Sequence, residues 1–269
     1  MSTVLASGPG APSRHGAVWR VVEYQLVVAR SFWRSILIVG VLTPLMFVLA
    51  LGVGLGTIVN SNGNQLGVPY LVFVAPAFLT AAALQIAAAD ASFPLMGGFK
   101  WLRTFHGMAS TPLTPEQIAE GQLLWIALRL VANSTLYLAI MATFGGTRRW
   151  WVVLSVPVAV LTGMAFASWV AALAASIEHE GNAFNMLFRF VVTPMFLFSG
   201  TFYPITELPT WGQWLAHASP LWHGTELARA SAIGGMSAAS VIGHVAYLVA
   251  WLVPGVLATR WRFRVRLTK

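Results

Sequence analysis

Six apolar runs, each near the ~20 residues that carry a helix across the roughly 30 Å hydrocarbon core of a bilayer, leave this chain few ways to fold. They lie at 35–58, 68–91, 123–144, 151–176, 183–203 and 240–259. Inside lipid, backbone polar groups must be satisfied within the segment, so runs of this length predict helices. Hydrophobic residues form 57% of the 269 and charged residues 9%, which excludes an ordinary soluble domain. The expected fold class is an all-α membrane protein with six transmembrane helices, occupying 35–259.

An even number of crossings puts both termini on one side, and the basic residues say which. Eleven of the 16 lysines and arginines fall on the side of the termini: Arg14, Arg20, Arg30, Arg34, Lys100, Arg103, Arg260, Arg262, Arg264, Arg266 and Lys269. Arg148, Arg149 and Arg229 fall on the other side, and Arg129 and Arg189 lie within runs. Both ends are therefore expected in the cytoplasm. The same count explains the +8 formal charge without nucleic acid: the basic tail 260–269 reads as a positive-inside anchor. With no cysteine, there is no disulfide framework or thiolate chemistry to consider.

Residues 1–16 are rich in Ser, Gly, Pro and Ala and predict a disordered cytoplasmic tail. Over 17–34 the pattern is helical. Arg20, Glu23, Arg30 and Arg34 share one arc, and Val18, Trp19, Val22, Leu26, Ala29 and Trp33 fill the opposite side. The expectation is an amphipathic interfacial helix on the inner leaflet, its arginines beside anionic headgroups.

Two connecting stretches stand out. At 99–106, Phe99, Lys100, Trp101, Leu102, Arg103, Thr104, Phe105 and His106 predict a short aromatic and basic helix between Gly97-Gly98 and Gly107. An exposed apolar helix of this kind implies a docking surface for a cytosolic protein. Thr114-Pro115-Glu116-Gln117 then has the form of a capping box with proline at the first helical position, so the third helix starts before the membrane.

The second stretch is 182–220. Its apolar run closes on Ser199-Gly200 and Tyr203-Pro204, and Trp211, Trp214 and Leu215 follow on a segment too short to span. That predicts an outer re-entrant helical hairpin between spans five and six, covered by protein or facing a cavity. Ionisable residues within runs need a reason to be there, and Asp90, Arg129, Arg189 and His244 are the cases. Snorkelling or ion pairing accounts for the first three, and packing for His244. The inner loop bearing Glu178, His179 and Glu180 reads as a solvated turn or partner contact, with too few ligands for a metal.

The motifs of P-loop nucleotide binding, zinc proteases and serine hydrolases are absent, and Asp90 is the sole aspartate. The chain is not expected to be an enzyme. Phe196 to Arg229, FLFSGTFYPITELPTWGQWLAHASPLWHGTELAR, resembles the signature of the ABC-2 type transport permeases, which include permeases of nodulation lipo-oligosaccharide and daunorubicin exporters. Ser199-Gly200, Tyr203-Pro204-Ile205, Leu208-Pro209, Trp211, Pro220, Glu226-Leu227 and Arg229 carry that resemblance. Ser110–Thr114 and Gly121–Trp125 resemble the family's approach to its third span.

The resemblance implies a permease subunit of an exporter, with cytosolic ABC ATPase subunits in two copies and a second permease chain, identical or related. ATP and Mg would reside on the ATPase, with no cofactor on this chain. It places the family's coupling helix on 99–107 and a substrate path beneath Phe198, Tyr203, Trp211 and Trp214. An apolar, aromatic path suits an amphipathic lipid, glycolipid or hydrophobic drug, exported across a bacterial cytoplasmic membrane. Two other classes compete: an ion- or proton-coupled secondary transporter, and a non-transporting membrane anchor.

Overall fold

The computed structural model describes residues 14–61, 66–146, 149–178 and 182–268, and every regular element among them is helical. Most of the expected tail 1–16, and His179 and Glu180 of the inner loop, lie outside the described residues. In chain order the helices are α1 (Arg14–Ser31), α2 (Trp33–Phe47), α3 (Gly56–Ser61), α4 (Tyr70–Ala91), α5 (Phe93–Lys100), α6 (Thr104–Ala109) and α7 (Pro115–Thr143). After them come α8 (Ser155–Ser176), α9 (Ala183–Leu187), α10 (Thr193–Phe198), α11 (Thr210–His217), α12 (Pro220–Ile233) and α13 (Ala238–Leu267). π-helical stretches Val48–Leu55 and Phe188–Val192 join α2 to α3 and α9 to α10.

Five helices are long and apolar enough to cross a membrane: Gly40–Ser61, Tyr70–Lys100, Pro115–Thr143, Trp150–Ser176 and Ala238–Leu267. The chain is thus a multi-pass membrane protein by length and composition. The run expected at 183–203 differs from these. Its helix, Ala183–Phe198, rises only ~24 Å, short of a full hydrocarbon core. It stops where Gly200 adopts φ +72°, a left-handed conformation that glycine takes without steric cost.

α4 and α8 form the centre, buried over 78% and 72% of their apolar windows, against 11% for α13. Small residues let the backbones approach, as is usual between membrane helices. At the seam of α8 and α13 a Cβ on Gly255 would overlap Ser168 Oγ. There Thr259 Oγ1 donates to the Ser168 carbonyl at 2.6 Å, and Trp169 Nε1 donates to the Trp251 carbonyl at 2.9 Å.

The third helix begins as its sequence predicts. Thr114 Oγ1 accepts from the Gln117 amide while Gln117 Oε1 accepts from the Thr114 amide, with Pro115 leading the helix. At 29 residues, α7 extends well past what a crossing requires. α1 lies along that extension. Ala17, Val21 and Val22 are buried, a Cβ on Gly121 would meet Val21 at 2.5 Å, and Gln25 Nε2 donates to Gln122 Oε1 at 3.0 Å.

The apolar side of α1 therefore divides. One arc packs on α7, and a second, with Trp19 and Leu26 seven residues apart, stays exposed beside the arginine arc; Trp33 and Arg34, expected on the same helix, lie beyond the break at Phe32 and open α2.

The basic tail belongs to the last helix. α13 continues as helix to Leu267, and its arginines bind protein. Arg260 pairs with Glu120 at 3.2 Å and Arg264 with Glu116 at 3.7 Å, both glutamates lying in the first turns of α7. Arg266 Nη1 donates to the carbonyls of Ala174 and Ala175 at the end of α8, where cations are favoured by the helix dipole.

Candidate functional site

Residues 99–106 do not form one helix. The amides of Trp101 and Leu102 both donate to the Gly97 carbonyl, closing α5. Arg103 then takes φ +50°, a left-handed conformation costing of order 1–3 kcal/mol outside glycine, before α6 begins. The step divides the residues by role. Phe99 and Phe105 are buried and stack edge-on at 4.7 Å, with Phe263 of α13 against them at 4.7 and 5.4 Å. Gly98 makes this possible, since a Cβ there would meet the Phe105 ring at 2.5 Å.

Above that aromatic seat, Trp101 is 56% exposed and Leu102 74%, with Arg103 and His106 exposed and Lys100 half-buried. Arg266 stands over the Phe99 ring at 4.3 Å. The expected docking set thus contains two anchors, Phe99 and Phe105, which a partner cannot reach. Its accessible part is Trp101, Leu102, Arg103 and His106.

The opposite end of the bundle carries α11 and α12. Arg229 of α12 is the organising residue. Its Nη1 binds Glu226 at 2.5 Å, its Nη2 donates to the Gly200 carbonyl at 2.7 Å, and its Nε donates to the Phe73 carbonyl at 3.4 Å. The guanidinium also lies 3.9 Å from the centre of the Phe73 ring. One cation thereby ties α12, the break after α10 and the start of α4. Tyr70 reinforces the junction by donating to the Phe202 carbonyl at 3.1 Å.

The four residues expected along a substrate path are not gathered around one void. Phe198 lines a cavity of about 240 Å³ with Pro194, Met195, Leu215 and Trp251. Trp211 contacts Phe198 edge-on at 5.9 Å, Tyr203 donates to the Leu197 carbonyl at 2.9 Å, and Trp214 is 73% exposed.

His244 does pack, as expected, but on another histidine that the sequence reading did not single out. His223 Nδ1 lies 2.8 Å from His244 Nδ1, and its Nε2 is 3.0 Å from the His217 carbonyl. Tyr247 stacks on the ring at 3.8 Å. Burial is the main cause that pushes His223 down to about 4, with the His217 carbonyl opposing and His244 and His217 adding to the fall.

An unfolded histidine titrates near 6.5, so between about 6.5 and about 4 the unfolded chain binds the proton that the folded chain refuses. The stabilisation from neutral His223 is complete above about 6.5 and is lost as the pH falls through that window. Melting temperature measured from pH 7.5 to 4.5 is expected to fall, with a clearly shallower slope in His223→Gln; parallel slopes would reject the assignment.

Within the spans, Arg129 Nη1 meets Asp90 Oδ1 at 2.6 Å, joining α7 to α4. Arg189 is exposed, 5.8 Å from the Phe190 ring. Among the described residues no group of three or more His, Cys, Asp and Glu could hold a metal ion.

The ABC-2 type transporter family matches residues 17–233, which takes in α1, the step after α5, and the Gly200 to Arg229 junction. The chain belongs to this family.

ABC-2 transporter members are membrane transport components, so membership implies an ABC transporter in which an ATPase partner accompanies the permease. Nodulation protein J of Rhizobium leguminosarum bv. viciae is 31% identical over 230 residues, covering 84% of this chain and 85% of that protein. The Nodulation protein J of Rhizobium leguminosarum bv. trifolii is 30% identical over 261 residues, 93% of each chain. That of Bradyrhizobium diazoefficiens is 29% identical over 261 residues, 94% of each. No solved structure is a significant match. Arg229 was legible only as part of the ABC-2 signature; its one local signal is the three-residue spacing from Glu226, which puts both on one helix face.

Proposed function

We propose that this chain is the permease subunit of an ATP-driven exporter that moves an amphipathic substrate, a lipid, glycolipid or hydrophobic drug, outward across a bacterial cytoplasmic membrane. Two permease chains, identical or related, would pair with two copies of a cytosolic ATPase that carries the ATP and Mg. The α6 end faces the cytoplasm in this reading. Helix Ala183–Phe198 then serves as the fifth crossing in chain order, continued by the covered backbone to Tyr203, which brings the total to six and leaves both termini cytoplasmic.

The observation that carries the proposal is the exposed Trp101-Leu102-Arg103 step on its buried Phe99, Phe105 and Phe263 seat. A partner pushing on the step would move three helices at once, because the seat draws on α5, α6 and α13. Phe198 and Trp211 mark where a path would leave the bundle at the α11 end.

Inside-out vesicles holding the chain and its cognate ATPase are expected to accumulate a fluorescent lipo-oligosaccharide or alkyl drug only when ATP is supplied. Uphill accumulation by the chain alone would overturn the proposal. The Asp90–Arg129 pair inside the spans favours an ion-coupled mechanism as the second reading. Transport that survives ATP depletion and is abolished by Asp90→Asn would select it.

A further inference from the structure

The structure assigns a headgroup-binding site to the cavity between α1, α5, α6 and α7, with Asp90 of α4 in its wall, for an amphipath whose polar end is neutral and rich in hydroxyls. The cavity measures about 280 Å³ and is lined by Tyr24, Gln25, Asp90, Gln122, Trp125 and Arg129, among others. Four buried side-chain polar atoms among the described residues lack a hydrogen-bond partner, and three belong to this lining: Asp90 Oδ2, Gln122 Nε2 and Arg129 Nε. Such atoms are costly to bury, and a small rotation of these side chains would turn them towards a ligand in the cavity that supplies the missing bonds.

Gln122 is only 3% exposed and meets Gln25 through one amide atom. Whichever way the two amides are oriented, one polar atom of Gln122 stays without a partner.

The chemistry of the lining selects the headgroup. Arg129 and Asp90 neutralise each other, so the wall presents no net charge to attract a phosphate. Arg129 Nε can only donate and Asp90 Oδ2, as a carboxylate oxygen, accepts. A hydroxyl does both, and several on one ring would meet donor and acceptor together. Trp125 and Tyr24 add aromatic faces to the same wall.

Arg129 also lines a second cavity, about 160 Å³, whose walls include Pro44, Phe47, Leu79 and Ile86. Both cavities have mostly apolar walls and share Arg129, which suits an alkyl chain running on from a headgroup held at that residue. This site rests on the proposed orientation only for its leaflet, the inner one; binding itself requires neither the ATPase nor transport.

The test uses the full chain in phosphatidylcholine nanodiscs with dodecyl maltoside bearing a photoreactive group beside the sugar, and crosslinks mapped by mass spectrometry. Crosslinks are expected to concentrate on the facing residues of α1, α5, α6 and α7 around Arg129. Excess dodecyl maltoside should displace them and dodecyl phosphocholine should not, a comparison that needs no substitution. Trp125→Ala and Gln122→Leu are each expected to lower crosslinking about tenfold, with Leu124→Ala, outside the lining, leaving it unchanged.

Crosslinks spread along the exposed faces of α2 and α13, or equal displacement by phosphocholine, would overturn the assignment. Adding the ATPase with MgATP separates two sources of the same chemistry. Crosslinking lost on turnover identifies the site as one for cargo, and crosslinking retained identifies a resident lipid; both support a headgroup site.

Discussion

Arg229→Ala is expected to remove most of the folded protein from the membrane. The guanidinium is largely buried, and its three nitrogens satisfy Glu226, the Gly200 carbonyl and the Phe73 carbonyl. Truncation leaves a carboxylate and two carbonyls without their donor. Breaking one side of a buried pair costs about 3–5 kcal/mol, a large part of the 5–15 kcal/mol that separates folded from unfolded for a typical protein. Arg229→Lys keeps the charge but replaces a planar fork with a single point donor, which cannot reach acceptors on three elements; an intermediate loss is expected. Yield of monodisperse protein on size exclusion and the melting temperature are the measurements. Wild-type values for Arg229→Ala would show that the junction does not depend on this cation.

The double substitution Trp101→Ala and Leu102→Ala is expected to weaken binding of the ATPase subunit about a thousandfold, with substrate-stimulated ATP hydrolysis lost accordingly. Large exposed apolar side chains at a docking point carry a disproportionate share of binding energy, and each truncation at such a centre is worth ~2 kcal/mol or more. Both side chains lie mostly at the surface: Trp101 is 56% exposed and Leu102 74%. The melting temperature of the double variant should therefore stay near that of the parent chain.

Phe105→Ala supplies the contrast. It empties a buried site between Phe99 and Phe263, costs ~3–5 kcal/mol, and should lower stability and binding together. Unchanged ATPase affinity in the double variant, measured by titration in detergent, would remove the step from the docking surface.

How far the sequence carried depended on the range of the interaction. The cap at Thr114 was legible because it is local: its donors and acceptors lie three residues apart. The break at Gly200 was legible for the same reason. The length of the fifth run was not, because 183–203 stays predominantly apolar to its end and hydropathy is indifferent to where a backbone turns left-handed. Residues 99–106 read as one helix since each favours or tolerates helix, yet the packing of Phe105 against Gly98 requires the chain to fold back at Arg103.

The candidate sites depended on long-range pairs. Asp90 and Arg129 were separately recognised as expensive, but 39 residues separate them and only the bundle brings them together. The Arg260–Glu120 and Arg264–Glu116 pairs, which hold the basic tail against α7, arise by the same means. His223 gave no signal, because a histidine in a short polar helix looks unremarkable until His244 lies 2.8 Å away.

One consequence follows from the continuity of α13. The same rod of helix holds His244 against His223 near one extremity and Phe263 in the aromatic seat near the other. Between them, Pro254 interrupts the hydrogen-bond ladder beside Gly255, where the rod rests directly on Ser168. That is the arrangement of a lever on a fulcrum. In the proposed exporter, displacement of Phe263 would tilt the distal arm against the histidine contact, so that a stroke delivered at one surface would arrive at the other with no intervening messenger.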